Sequence, residues 1–307
     1  MPPSRIRLVA IDIDGTLLPS SVPEVSPRNR RALCQAQAAG IHIVIATGRR
    51  HRFAADAVAP TGLSPQSLLI SSNGSVVRHF DGSLIARSLL PPSTARALCG
   101  ALRSFGQTVA FTFDRTDAPS LAVESLHALH RRIARWVDAN RHDMIEIQPL
   151  ERAFDGSEGP IQGMLCGSIP QMRAAEAALA PMQAEGLVAM HRTEYPERSL
   201  GILDLLPPGC SKGTALAACA ESLGLAPGEV MAIGDNFNDQ DMLAYAGHPL
   251  VMGNCSPEMR ALARSRGWPI GATNDEDGVA LALEPLTALQ IAAKTQPEPA
   301  SLAAGPA

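Results

Sequence analysis

The sequence has six cysteines and no two of them at CxxC spacing, so neither a zinc cluster nor a dithiol redox motif can be read in it. Cys34, Cys99, Cys166, Cys210, Cys219 and Cys255 are scattered along 307 residues, a usage that predicts reduced thiols in the cytoplasm. No apolar run reaches membrane-spanning length, and acidic residues begin by Asp12, leaving no room for the apolar stretch of a signal peptide. Charge of one sign is lacking too. The 26 Lys and Arg against 30 Asp and Glu leave a formal net of -4, with no general attraction to nucleic acid or to an anionic membrane. An anionic ligand must therefore be held by a local site. No internal repeat is seen. What is there is an ordinary globular composition, 46% hydrophobic and 18% charged, in a chain long enough for two domains.

The first stretch alternates strands and helices. Arg7–Ile13 reads as a strand, and Ser26–Ala39 as a helix with Ser26 at the N-cap, Pro27 at the first position and Gly40 as its stop. "IHIVIATGR" is a second apolar strand that ends in Thr47, Gly48 and Arg49, and "SLLISSNG" a third that also ends in small polar residues. Apolar strands alternating with helices imply a doubly wound parallel sheet covered on both faces, an α/β fold. From about Asp81 the pattern is less regular. Helices are expected near Ser93–Phe105, Ser120–Asn140 and Pro170–Gly186, a strand at "IQGMLCGSI", and paired strands at "LVAMHRTEY" and "SLGILDLLP". The doubly wound pattern returns with a helix at "CSKGTALAACAESLGL" and the strand "EVMAIGDNFND". This divides the chain into a core of residues 1–82 and 203–290, an inserted α+β domain at 83–202, and an Ala- and Pro-rich tail at 291–307 predicted to be disordered.

The core strands carry charge where it is expensive. In "VAIDIDGTLL", Asp12 and Asp14 break an apolar run, and Asp235 ends another. Buried carboxylates cost several kcal/mol each when unpaired, and close ones repel. The crevice outside the carboxyl ends of the strands is where an open α/β sheet binds ligands. Asp12, Asp14 and Asp235 would meet there, and a hard divalent cation with oxygen ligands, Mg2+, supplies the missing counter-charge.

"DIDGT" (Asp12–Thr16), "TGR" (Thr47–Arg49), "SKG" (Ser211–Gly213) and "GDNFND" (Gly234–Asp239) resemble, in order, the four motifs of the haloacid-dehalogenase-like (HAD) phosphatases. The insertion between the second and third is similar to the large α+β cap of the Cof-type subfamily, as are "ISSNGSVV" and "TNDEDGVA". The resemblance implies a Rossmann-like core with an inserted cap, and hydrolysis of a phosphate monoester through an aspartyl-phosphate. Asp12 is then the nucleophile, and Asp14 the acid that protonates the leaving oxygen and afterwards the base for water. Gly15 permits the turn that brings both carboxyls to one substrate and is itself implied to contact the phosphate. Lys212, at a helix start, and Thr47, with Gly48, would hold the phosphoryl oxygens. Asn238 would contact phosphate or support Lys212. The implied metal ligands are Asp12, the Asp14 carbonyl and Asp235, with Asp239 a further ligand or a partner of one.

Other features carry less. Arg49, Asn73 and Gly74 are candidate substrate contacts, whereas the rest of "GRRHR" reads as a solvated helix start. His127 and His130 have helical spacing but no third ligand, and Cys210 has no positioned base. Asp204 stands where the family often has a glutamate. The substrate is a small phosphorylated metabolite: a sugar phosphate, a phosphorylated cofactor or a nucleotide. A phosphotransferase or mutase with the same nucleophile is the alternative, for which Arg131, Arg132 and Arg135 would be the second phosphate's cationic cluster. A non-catalytic phosphometabolite-binding protein is a third. The sequence does not reveal oligomeric state.

Overall fold

The computed structural model describes residues 5–105, 109–115, 119–127, 129, 133–156 and 158–295. In chain order, strand β1 (Leu8–Ile11), helix α1 (Pro27–Ala38), β2 (His42–Ala46), α2 (His51–Val58), β3 (Leu68–Ser71), β4 (Val76–His79) and β5 (Leu84–Arg87) open the chain. The inserted stretch comprises α3 (Pro92–Leu102), β6 (Ala110–Thr112), β7 (Leu121–Val123), α4 (Ala134–Asn140), β8 (Met144–Glu146), β9 (Gln162–Gly167), α5 (Ile169–Ala184), β10 (Ala189–Tyr195) and β11 (Leu200–Leu206). Helix α6 (Lys212–Ser222), β12 (Val230–Gly234), α7 (Gln240–Tyr245), β13 (His248–Val251), α8 (Pro257–Arg266) and α9 (Gly278–Thr295) complete it. No helix of the described residues is long and apolar enough to cross a membrane.

The first sheet runs β13-β12-β1-β2-β3-β4-β5, parallel from β13 to β3. Leu8, Val9, Ala10 and Ile11 are all fully buried, because helices cover both faces. Leu33 of α1 and Val279, Ala280 and Leu283 of α9 pack on one face with Val9 and Ile11, and Leu216 of α6, Leu243 of α7 and Met259 of α8 pack on the other with Leu8 and Ala10. Helix α1 begins as its sequence directs: Ser26 caps it by accepting from the Asn29 N–H, with Pro27 next.

The second sheet runs β10-β11-β9-β6-β7-β8. Side chains alternate along β11, so Leu203 and Leu205 join Phe111, Phe154, Met172 and Leu179 under α3 and α5, while Leu200, Ile202 and Asp204 face the other way. "LVAMHRTEY" and "SLGILDLLP" do pair antiparallel, as β10 and β11.

Four expectations need correction. The doubly wound sheet is parallel as expected from β13 to β3, but not at its edge, where the turn at Ser72–Gly74 reverses the chain into β4 and a second turn at Gly82 (φ 91°) reverses it again into β5. No single helix spans Ser120–Asn140: Leu121–Val123 pairs with β6 and β8, where Val123 is fully buried, and among the described residues of this span the α-helix is Ala134–Asn140. Boundaries at 82/83 and 202/203 would cut β5 from the first sheet and split β11, which belongs wholly to the second. The helix α9 carries residues 291–295, and 296–307 lie outside the described residues, as do His130, Arg131 and Arg132.

Candidate active site

Strands β1 and β12 are parallel neighbours, so the residues that follow them emerge side by side. The chain crosses from one side of the sheet to the other here, with β2 flanking β1 on one edge and β12 on the other, which opens a crevice. Asp12 stays in the ladder by donating its N–H to the Ile233 carbonyl (3.1 Å). The chain then turns sharply. Leu17 and Leu18 N–H groups both reach the Ile13 carbonyl at 3.0 Å. Gly15 sits at φ 79°, and a Cβ there would lie 2.4 Å from Asp235 Oδ2, so only glycine fits. Thr16 Oγ1 donates to Asp235 Oδ1 at 2.9 Å, tying the two loops together.

Lys212 is the first residue of α6, whose N-cap Ser211 accepts from the Thr214 N–H. Its fully buried ammonium lies 2.7 Å from Asp12 Oδ1 and 2.6 Å from Asp239 Oδ1. Burial works against that charge, and the two carboxylates outweigh it, so the Lys212 pKa is raised. Burial pushes Asp12 up to about 7 against the pull of Lys212, and pushes Asp235 well above the ordinary carboxylate value, helped by Asp239 and Asp12. Asp239 has both oxygens engaged, since Oδ2 accepts from the N–H groups of Asp235 (2.9 Å) and Asn236 (3.0 Å). It thus holds Lys212 and the Asp235 loop in place.

Asp12, Asp235 and Asp239 present ligand atoms within 4.8 Å of one another. Three carboxylates against one ammonium leave excess negative charge, and the donors are hard oxygens, which fits Mg2+. The Asp14 carboxylate stands apart from this cluster. It takes a bidentate pair from Arg49, Nε at 2.8 Å and Nη2 at 2.6 Å.

Thr47 is fully buried, and its hydroxyl accepts from the Arg49 N–H at 3.2 Å. The third strand's polar end, Ser72–Gly74, closes on this loop: Ser72 N–H reaches the Arg49 carbonyl and Asn73 N–H the Thr47 carbonyl. Gly48 leaves room for the Asn73 amide, which a Cβ would meet at 3.1 Å. Asn238, reached through the loop after β12, donates to Asn73 Oδ1 at 3.1 Å, and Asn73 donates to Asp204 at 2.8 Å.

These loops floor a cleft of about 960 Å³ roofed by the second sheet and α4. Asp12, Asp14, Gly48, Arg49 and Asn238 line its floor. Phe53, Trp136, Tyr195, Met164, Leu200 and Ile202 form an apolar wall, with exposed Arg135 among them. A smaller hollow of about 360 Å³ beside the start of α6 contains Cys210 and none of the carboxylates of the cluster. Burial raises the Cys210 thiol pKa, as suits an inert core cysteine.

Reading the sequence missed several of these residues. Arg50 is not a solvated helix start: it bonds Ser120, Asn140 and, at 3.1 Å, Asp143 of the inserted stretch. Phe53, Trp136 and Tyr195 carry no local signal, since aromatic residues on short elements look like any other core. Asp204 and Gln162 were visible as polar residues in apolar strands, but their partners were not.

The profile of the haloacid dehalogenase-like hydrolases matches residues 9–283. The 5-amino-6-(5-phospho-D-ribitylamino)uracil phosphatase of Bacillus subtilis is 28% identical over 306 residues, covering 94% of this chain and 100% of that protein. The HMP-PP phosphatase of Serratia proteamaculans is 31% identical over 262 residues, 83% of this chain and 87% of its own. Among solved structures, a haloacid dehalogenase-like hydrolase from Bacteroides thetaiotaomicron superposes with a TM-score of 0.71 at 26% identity, covering 92% of this chain and 100% of that one.

Proposed function

This chain belongs to the haloacid dehalogenase-like hydrolases and is a phosphatase, and we propose that it hydrolyses a small phosphorylated metabolite through a phosphoryl-enzyme on Asp12, with Mg2+ as its metal. The observation that carries the reading is Asp12 itself, a buried carboxylate that lines the cleft floor with one oxygen held by Lys212. That hydrogen bond aims the other oxygen and opposes the protonation that burial favours, and a nucleophile must be anionic.

In this reading an Asp12 oxygen forms the bond to phosphorus as the ester P–O bond breaks, and Asp14, entering the step in its carboxylic acid form, gives its proton to the leaving oxygen. Asp14 then takes a proton from water as the water oxygen attacks phosphorus, the bond to Asp12 breaks, and inorganic phosphate leaves. Asp12 and Asp235 would hold Mg2+ with the Asp14 carbonyl, and Asp239 would steady both Lys212 and the Asp235 loop. When bound, the metal supplies positive charge that lets an anionic nucleophile approach an anionic phosphoryl group. Thr47 and Gly48 fix the loop beside the phosphoryl group, and Lys212 and Asn238 offer it cationic and amide donors.

The leaving group meets the apolar wall of Phe53, Trp136, Tyr195, Met164, Leu200 and Ile202. A flat aromatic ring buries its faces well there, while a polyhydroxylated chain would lose hydrogen bonds to water. The name of the Bacillus subtilis relative specifies a uracil ring carried on a phosphorylated ribityl chain, so a ring and a hydroxylated chain occur together in that protein's substrate.

Inorganic phosphate release from a panel of aromatic phosphomonoesters, nucleotides and sugar phosphates, with Mg2+ or with EDTA, tests this on wild type and Asp12→Asn. Metal-dependent release that the substitution abolishes is expected, with ring-bearing esters ranking first. No release from any member overturns hydrolysis, and release that requires a sugar-phosphate acceptor assigns phosphoryl transfer instead.

A further inference from the structure

One carboxylate beside the cleft has no part in the chemistry above. Asp204 lies on the cleft face of β11, is 5% exposed, and accepts from Gln162 Nε2 at 2.6 Å and from Asn73 Nδ2 at 2.8 Å. An ionised carboxylate only accepts hydrogen bonds. Any amide facing it must present nitrogen, because the reverse sets oxygen against oxygen. Asn73 is therefore oriented with its oxygen away from Asp204, toward Asn238. Asn238 in turn must present its nitrogen to Asn73, as it does at 3.1 Å. The direction of every amide in this row follows from the one group that cannot donate.

The row is stiff as well as directional. Ser72 (φ 49°) and Asn73 (φ 52°) are consecutive non-glycine residues in the left-handed region, and their N–H groups are anchored at 2.9 Å and 3.0 Å to carbonyls of the Arg49–Thr47 loop. Such strain persists only where the surroundings over-determine it, and it clusters at functional sites. Gly74, at φ 103°, packs so tightly that a Cβ would lie 2.2 Å from the Ser211 carbonyl oxygen beside Lys212. With the backbone locked, the Asn73 side chain can respond to Asp204 only by turning over. Burial pushes Asp204 up to about 6 despite its two amide donors, so it is ionised at neutral pH.

We propose that Asp204 is a positioning residue which, through Asn73, sets the orientation of the Asn238 amide at the phosphoryl site, so that the inserted sheet holds part of the phosphate-binding floor in register. This rests on the role given to Asn238 above. Asp204 touches no reacting atom; it acts by removing one of the two ways each amide could lie.

Exchanging the two residues tests it. Asp204→Asn allows either amide orientation, and Asn73→Asp sets two carboxylates face to face. Each should weaken inorganic phosphate binding, measured by calorimetry, and lower kcat/KM on the order of tenfold. The Asp204→Asn/Asn73→Asp exchange puts an acceptor-only group between two amides that can both donate to it. It should orient Asn238 as in wild type and bind phosphate better than either single variant. In an Asn238→Ala background, Asp204→Asn should cost nothing more. The exchange keeps the hydrogen-bond count and so reports even where a single variant fails to fold. Wild-type behaviour of Asp204→Asn, an exchange no better than the single variants, or losses that simply add to that of Asn238→Ala overturns the proposal. If wild type hydrolyses nothing yet binds phosphate, the proposed function fails while the calorimetric comparison still decides this one. If wild type binds no phosphate, both fail.

Discussion

Arg49 grips the Asp14 carboxylate with two nearly parallel hydrogen bonds, 2.8 Å from Nε and 2.6 Å from Nη2, across the loops that follow β2 and β1. The side chains are 30% and 42% exposed, so the pair adds little to stability, about 0 to 1 kcal/mol. Its value lies in direction, since a fork fixes the plane of a carboxylate and a point charge does not. Arg49→Lys should leave the unfolding free energy within about 1 kcal/mol of wild type, yet lower kcat for phosphate release by about ten- to a hundredfold. Denaturant melts and initial rates on the same preparations check this; an unchanged kcat removes Arg49 from the positioning of Asp14.

Asp235 should separate metal binding from folding. Its carboxyl is buried among other carboxylates and its pKa is raised well above the ordinary value. A group with a raised folded pKa holds its proton longer in the native state, so metal-free stability falls as pH rises past the ordinary carboxylate range. Asp235→Asn removes that penalty and the ligand together. At neutral pH without metal the variant should melt above wild type, while saturating Mg2+ at a hundred times Kd should stabilise wild type alone by about 2.7 kcal/mol. Thermal melts in Mg2+ and in EDTA decide it, and equal stabilisation of both proteins would take Asp235 out of the metal site.

Glu194 predicts the opposite slope. Its side chain is 2% exposed, Arg173 donates to both its oxygens at 2.9 and 2.8 Å, and Arg192 stands at 2.7 Å. The hydrogen bonds from Arg173, against burial, hold its pKa below the ordinary 4.5. A lowered folded pKa contributes stability that is present above pH 4.5 and lost as pH falls through the folded value. Glu194→Gln should therefore destabilise at pH 7 by about 1 to 3 kcal/mol, with a difference from wild type that shrinks toward pH 3. A constant difference across that range would mean the carboxylate's charge is not what matters.

Gly74→Ala concentrates strain beside the lysine. The new methyl would lie 2.2 Å from the Ser211 carbonyl oxygen, at a φ of 103° that L-residues rarely adopt. Ser211 caps the helix that Lys212 begins, so relief of the clash must move the ammonium from Asp12. Stability should drop by about 2 kcal/mol or more, with phosphate release reduced further than the melt explains. Gly82→Ala is the control: its φ is 91°, but a Cβ there meets nothing within 4 Å, so it should cost stability and spare activity.

Much of the floor was legible because it is built from residues near one another in sequence. The turn at Asp14-Gly15, the capping of α6 beside Lys212 and the Asx-rich loop at Asn236–Asp239 are short-range chemistry, and their residue types announce it. The roof was not. Val123 and its neighbours were read as helix because the strand is three residues long, too short to show a period of two. Arg50 was read as solvated because its partners lie 70 to 93 residues away.

By itself the sequence determined that carboxylates would end adjacent core strands, since alternating apolar strands and helices permit few other sheets and charge at a buried strand end needs a counter-ion. Only the tertiary structure decided how those charges are shared. It gave Lys212 to Asp12 and Asp239, Arg49 to Asp14, and Asn73 to both Asp204 and Asn238. Those choices turn on distances of a few tenths of an ångström between residues up to 200 apart in the chain. Local propensity is silent about such pairings, because a hydrogen bond is won or lost by where two loops come to rest after the core has packed.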